Sequence, residues 1–321
     1  MLPSSVPRAA LPSPARRRAL RRAVRAWFTQ HGRELDFRVG GRMDPWGVLV
    51  SEVMAQQTQI GRVEERWPAF MAAFPSPAAM AAASPADVIR AWRGLGYNRR
   101  ALGLHRAAVA IAAAGGAVPG DVAGLIALPG IGPYTARAVA ALAFGLPVGA
   151  VDVNVRRVVG RIVAGDPSAL PPAALQAAAD ALVDPGEPEA WTHALMDIGA
   201  TICRPVQPSC AACPAQPWCL AAGTTVDAPP APAALWREPA SLSPTRRPAP
   251  IPFERTTRWL RGRIVDRLRD VAPEVALAVD GPLGSHSAEA VALALAGLAR
   301  EGLVELDATG QARLAGSPEP A

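Results

Sequence analysis

The chain has 321 residues, 50% of them hydrophobic, with 33 basic residues against 27 acidic ones and a net charge of +6. That is too apolar and too weakly charged for a disordered chain, so one or two folded domains are expected. Every basic residue is an arginine, and such an excess of cation points to a polyanion, nucleic acid ahead of an anionic membrane surface.

Residues 1–15 are basic and lack the apolar core of a signal peptide, so a disordered tail and a cytoplasmic, nucleoid-associated protein are expected. "AVAIAAAGG" and "AVAALAFGLPVGAV" are short and broken by Gly or Pro, so no membrane span is expected. From residue 16 a helix with Leu20, Val24, Trp27 and Phe28 at helical spacing runs to Gly32. Helical patterns then alternate with Gly/Pro breaks up to residue 222, and none alternates with period two. The region reads as all-α.

In "DPWGVLVSEVMAQQTQI", Asp44 can cap a helix that Pro45 opens. At about 100° per residue, Glu52 falls between Val48 and Leu49, inside the apolar arc. A carboxyl in low-polarity surroundings holds its proton more tightly, as a general acid must; the alternative is a Glu at the edge of a solvated face. Further on, "LPGIGPYTARAVAAL" places Gly130 and Gly132 around one apolar residue, with Pro133 at the first helical position. Backbone N–H groups exposed at such a helix start form an anion site that suits a DNA phosphate, although many Gly-x-Gly turns are only tight connections.

All four cysteines, Cys203, Cys210, Cys213 and Cys219, lie in "CRPVQPSCAACPAQPWC". In a reducing compartment the cluster reads as metal ligation rather than disulfides. Zinc sites commonly pair two Cys-x-x-Cys knuckles, whereas this compact loop with one knuckle suits a [4Fe–4S] cluster better; small buried residues in a Pro-rich turn are the remaining reading. Residues 223–254 read as a Pro-rich linker. Residues 255–321 offer a basic helix, a helix from about Ser287 to Arg300 and a hairpin in "GLVELDATGQARLAG", a small winged-helix-like module. Its Arg255, Arg258, Arg261, Arg263, Arg267 and Arg269 are expected either to add salt-sensitive phosphate affinity or to form a solvated helix. The four histidines show no ligand spacing and read as structural or surface residues.

The Gly-x-Gly turn with the cysteine loop downstream resembles the helix–hairpin–helix endonuclease III superfamily of base-excision DNA glycosylases. "SEVMAQQTQ", "GLGY", "LPGIGPYTA", "VDVNVRR" and "ALMDIGATIC", in that order, resemble its adenine DNA glycosylase (MutY) branch over roughly residues 20–222, within a core domain read as residues 16–222. The resemblance implies a helix–hairpin–helix core with the cluster loop at 203–219, acting on double-stranded DNA that carries adenine opposite 8-oxoguanine or guanine, as a monomer. It implies that Glu52 protonates the adenine ring while Asp152 stabilises a cationic sugar, with Asn154 and Tyr134 in support. Arg38 would line the adenine pocket, and Gln57, Thr58, Leu95 and Tyr97 would wedge into the duplex around the oxidised guanine. The four cysteines would hold the cluster.

The chemistry asks for that division of labour, because a purine leaves deoxyribose readily only when its ring is protonated and the sugar cation is stabilised. The base must also be flipped out of the stack and the gap filled. Taken alone, Asp152 and Asn154 read equally as caps of the next helix, and Tyr97 and Tyr134 as core aromatics. The chain departs from the family in having "LDFR" with Phe37 in place of a Trp, Asn98 in place of a second Tyr after "GLGY", and a C-terminal segment too short for the family's Nudix-like domain. The competing functions are a thymine or uracil mismatch glycosylase on the same scaffold and a non-catalytic iron–sulfur DNA-binding regulator.

Overall fold

The computed structural model describes residues 11–38, 44–223 and 251–318. The expected tail up to residue 10 and the expected linker over 224–250 lie outside these residues. The chain forms two compact units. Unit one holds residues 1–49, 120–126 and 132–240; unit two holds 50–119, 127–131 and 241–321.

Unit one starts with α1 (Pro14–His31), opened as its sequence demands: Ser13 accepts a hydrogen bond from the Arg16 N–H and Pro14 takes the first helical position. Leu20 and Val24 are its buried residues, and α1 packs on α11 (Pro188–Thr201), whose residues 191–199 are all buried. α8 (Pro133–Phe144) and α9 (Val153–Ala164) also pack on α11, and α10 (Pro172–Leu182) packs on α9. The short α7 (Val122–Ile126) packs on α8. α11 meets α9 at a glycine: a Cβ on Gly199 would sit 2.6 Å from the Asn154 Cβ, so only glycine lets the two backbones come this close.

α2 (Pro45–Ala55) is shared between the units by its two halves, and its residues from Trp46 to Met54 are all buried. Unit two continues with α3 (Ile60–Ala73), α4 (Pro77–Ala82), α5 (Pro85–Ala91) and α6 (Arg99–Ala113). Ser76 and Ser84 cap α4 and α5, each followed by Pro. Phe70 meets Phe74 and Trp92 edge-on at 5.0 and 5.5 Å.

The C-terminal residues supply α12 (Thr257–Arg269), α13 (Ala288–Arg300) and a hairpin of β1 (Val304–Leu306) and β2 (Ala312–Leu314), paired Val304 to Leu314. Helix, helix and hairpin follow the order expected from the sequence, with Ser287 capping α13. They do not form a core of their own. Leu260, Ile264, Leu268, Val291, Leu298 and Leu314 are buried in one cluster with Ala86 and Ile89 of α5 and Leu102 of α6. Among the described residues no helix is long and apolar enough to cross a membrane.

Candidate active site

In unit two, Glu52 lies on α2 and is 8% exposed, beside Leu49 and Val48 at 0% and Val53 at 3%. The placement of this carboxyl in the apolar arc therefore holds, though the helix is buried all round rather than on one face. α2 ends in a turn where Gln57 is exposed and has φ of 54°; Tyr97, 40% exposed, has φ of 46°. Both sit in the left-handed region that non-glycine residues rarely adopt, which marks them as positions held by their surroundings.

The holder is Arg100, which sequence reasoning passed over. One of its terminal nitrogens donates to the Val53 and Met54 carbonyls at 2.8 Å each. The other donates to the Thr58 hydroxyl and to the Leu95 and Gly96 carbonyls at 2.9 to 3.0 Å. Thr58 in turn donates to the Leu95 carbonyl at 3.2 Å. One guanidinium thus ties the Gln57 turn to the Tyr97 turn. Burial pulls its pKa down to about 10, which leaves it charged at neutral pH. Of the other two expected wedge residues, Leu95 is 3% exposed, its side chain among the core residues, and the half-buried Thr58 takes part in this tie through its hydroxyl. The protruding pair is Gln57 and Tyr97.

Arg100→Ala should cost about 2–3 kcal/mol of stability, because it strands buried carbonyls, and should slow catalysis at the same time. Urea unfolding and single-turnover kinetics check this. Arg100→Lys should not restore either property, since an ammonium cannot reproduce the planar fork.

The Gly130–Gly132 turn connects α7 to α8. Gly130 has φ of 80°, and a Cβ there would meet the Gly103 Cα at 3.0 Å, so the turn lies tight against α6. Gly132 precedes Pro133 at the start of α8, and a Cβ on it would meet nothing within 4 Å. The start of α8 is open to an approaching group. Tyr134, in the first turn of α8, is half-buried.

In unit one, Asp152 does cap α9, accepting from the Val155 N–H at 2.6 Å and from the Asn154 amide at 3.2 Å. Burial raises its pKa, and the bonds from Val155 and Asn154 oppose the rise. Capping and function are therefore compatible readings of one carboxylate. Arg157, also missed in the sequence, donates to the Asn154 side chain at 2.9 Å and to the Gly199 and Cys203 carbonyls at 2.6 Å each. The cysteine loop is thereby linked to Asp152 through two side chains.

Arg38 lies in a short 3₁₀ turn, Asp36–Arg38, and its guanidinium donates to both carboxylate oxygens of Asp197 at 3.1 and 3.0 Å. Asp197 is 0% exposed and also accepts from the Arg33 backbone N–H at 2.9 Å and the Arg33 side chain at 2.7 Å. Burial works against its ionisation, yet the bonds and charge of Arg38, then those of Arg33, hold its carboxyl below the ordinary range. Beside this pair His193 is 5% exposed; burial, then the Arg38 charge, push its pKa down to about 3, so the ring is neutral at neutral pH.

Cys203, Cys210, Cys213 and Cys219 line one cavity with Arg161, Ile202, Pro208 and Gln216. Among the described residues no three His, Cys, Asp or Glu side chains are arranged around a single metal ion; the thiols surround a cavity instead. Arg161 donates to the Cys203 sulfur at 3.2 Å and to the Arg204 carbonyl at 2.8 Å. Burial pushes the Cys213 and Cys219 thiols up to about 11.

Residues 50–182 match the HhH-GPD superfamily of base excision DNA repair proteins. The chain is 43% identical over 252 residues to an adenine DNA glycosylase of Mycobacterium tuberculosis, covering 76% of each protein. It is 39% identical over 298 residues to that of Mycolicibacterium smegmatis, covering 92% of this chain and 95% of the relative.

The chain belongs to the adenine DNA glycosylases.

The human adenine DNA glycosylase is 38% identical over 214 residues, 63% of this chain and 39% of that one. Among solved structures, a thermostable thymine-DNA glycosylase superposes with a TM-score of 0.60 at 28% identity, over 65% of this chain and 97% of that one. A trapped endonuclease III–DNA covalent intermediate superposes with a TM-score of 0.54 at 23% identity, over 65% of this chain and 95% of that one. This second likeness shows the shared fold of the glycosylase core.

Proposed function

We propose that this glycosylase acts as a monomer on duplex DNA and hydrolyses the N-glycosidic bond of adenine mispaired with 8-oxoguanine or guanine. The observation that carries the reading is the pair of carboxyls in contrasting settings: Glu52 buried among aliphatic residues of α2, and Asp152 hydrogen-bonded at the start of α9. The first suits a proton donor to the departing base, the second an anion beside the sugar cation. Asn154 orients Asp152, and Tyr134 supports it from α8. Gln57 and Tyr97 fill the gap left by the flipped nucleotide, and the Gly130–Gly132 turn receives a phosphate at the start of α8. Arg38 serves the base pocket as one half of its ion pair with Asp197. A single-turnover assay on duplexes with adenine opposite 8-oxoguanine, adenine opposite guanine, thymine opposite guanine, and uracil tests the reading. Excision of adenine alone is expected; release of thymine or uracil in its place overturns it.

Four thiols around one cavity, in a loop braced by Arg157 and Arg161, fit a [4Fe–4S] cluster held by Cys203, Cys210, Cys213 and Cys219. Such a cluster supplies a cross-link that fixes the loop. Because burial keeps Cys213 and Cys219 protonated when free, loading displaces protons and weakens as pH falls. Protein purified without oxygen should be brown and carry about four irons per chain. Metal analysis that finds zinc instead rejects the cluster.

Glycosylases that also cleave the strand use an amine to form a Schiff base with the sugar, and this chain has no lysine. Turnover in the presence of borohydride should therefore trap no protein–DNA adduct and should leave an intact abasic strand. An efficient adduct, seen on a denaturing gel, overturns the monofunctional assignment.

A further inference from the structure

Three of the six arginines in and just before α12 are already engaged within the fold. Arg261 pairs with Glu301 at 2.5 Å, Arg263 pairs with Asp266, and Arg269 is 8% exposed with its Nε on the Ile89 carbonyl at 2.9 Å. Contacts from the C-terminal residues reach one short segment of unit two, residues 93–99, where Arg99 also lies 3.8 Å from Glu301. Arg93 is paired with Asp270 at 2.6 Å. Asn98 accepts from Arg269 at 2.9 Å. Arg258 lies over the Tyr97 ring, 4.2 Å from its centre.

Two guanidiniums, Arg258 and Arg100, lie near the Tyr97 ring. Arg258 lies 4.2 Å from the Tyr97 ring centre and 5.8 Å from that of Phe253. Arg100 lies 5.6 Å from the Tyr97 ring centre and 5.3 Å from that of Trp92. A cation within about 6 Å of a ring centre is attracted to its face. Tyr97 therefore has two cations within reach of its ring, Arg100 from α6 and Arg258 from α12, while its backbone stays in the left-handed region.

We propose that Arg258 is a positioning residue that holds the Tyr97 ring ready to enter the duplex, so that the C-terminal module is part of the wedge rather than a separate phosphate-binding arm. The proposal rests on the reading of Tyr97 as a wedge. Asn98, a departure from the family pattern, fits the same device, because its side-chain oxygen is the acceptor that anchors Arg269 beside the tyrosine.

The test compares full-length Arg258→Ala, Arg258→Lys, Tyr97→Ala and the Arg258→Ala/Tyr97→Ala double variant. The duplex carries adenine opposite 8-oxoguanine, and each chain is assayed for single-turnover excision at saturating enzyme and for binding across a salt series. Arg258→Ala should slow saturated excision roughly two- to five-fold, the worth of one exposed cation–ring contact. Its binding should keep the natural salt slope, Arg258→Lys should recover much of the rate, and the double variant should be no slower than Tyr97→Ala alone. If Arg258→Ala instead excises at full rate when saturated, but with a salt slope shallower by about 0.9, Arg258 is a phosphate contact and the proposal is overturned. Natural behaviour of Arg258→Ala in both assays, beside a slow Tyr97→Ala, overturns the proposal and leaves the wedge standing. Natural excision by Tyr97→Ala removes the wedge itself, and the proposal with it.

Discussion

Glu52→Gln should bind adenine-containing mispairs as the natural chain does and release adenine about 10²–10⁴-fold more slowly. Glutamine keeps the shape of the side chain on a helix where residues 46–54 are all buried, so the loss falls on the proton and not on packing. The departing purine then leaves as an anion rather than a neutral base, and that is the part of the barrier a general acid removes. A saturating single-turnover assay isolates this step from binding. Excision at the natural rate by the glutamine variant removes Glu52 from the mechanism. In the natural chain the rate should also fall toward acid as Asp152 takes up a proton. Burial raises the pKa of that carboxyl, so the fall should begin above the ordinary aspartate range of about 3.9.

Asp197→Asn should destabilise the protein by about 3–5 kcal/mol, the usual result of removing one partner from a buried ion pair. Asp197 is 0% exposed and answers two arginines, Arg38 with a side chain 9% exposed and Arg33 with one 30% exposed. A neutral amide leaves the Arg38 charge buried without its counter-ion, beside a His193 ring that is itself neutral. The sign of the pH dependence follows from the direction of the shift. The folded-state pKa of Asp197 lies below its unfolded value, so its stabilisation is complete above about pH 4 and is lost as pH falls through the folded value. Denaturant unfolding at neutral pH should therefore show the full deficit of the variant, and the gap should narrow in acid. A constant gap from neutral to acid pH rules out the ion pair as its source.

Most of the helical framework was legible in the chain. The starts of α1, α4, α5 and α13 follow from Ser13, Ser76, Ser84 and Ser287, because a cap is a contact between residues three apart and leaves a local signature. The burial of Glu52 followed from helical period alone, and the nearness of the four thiols followed from their short spacing.

Arg100 was not legible, because four of its five acceptors are backbone carbonyls, which every residue type carries alike; nothing in the sequence distinguishes Val53 or Gly96 as an acceptor. The same reason hid Arg157 on the Gly199 and Cys203 carbonyls. Leu95 looked like a wedge by its place in a motif, yet its side chain went to the core, since the turn displays Tyr97 instead. The basic residues of α12 left a phosphate-binding face and a solvated helix both open, and charge count cannot tell a solvated arginine from one already paired. Only the fold brings Arg93 to Asp270, 177 residues along the chain, and Asn98 to Arg269, 171 residues along. Local rules acting over three or four residues settled which segments became helices, that the Glu52 carboxyl is buried and that the four thiols lie close together. The joining of the C-terminal helices to α5 and α6, and with it the approach of Arg258 to Tyr97, was decided by burial of apolar surface between segments far apart in sequence, which only tertiary packing selects.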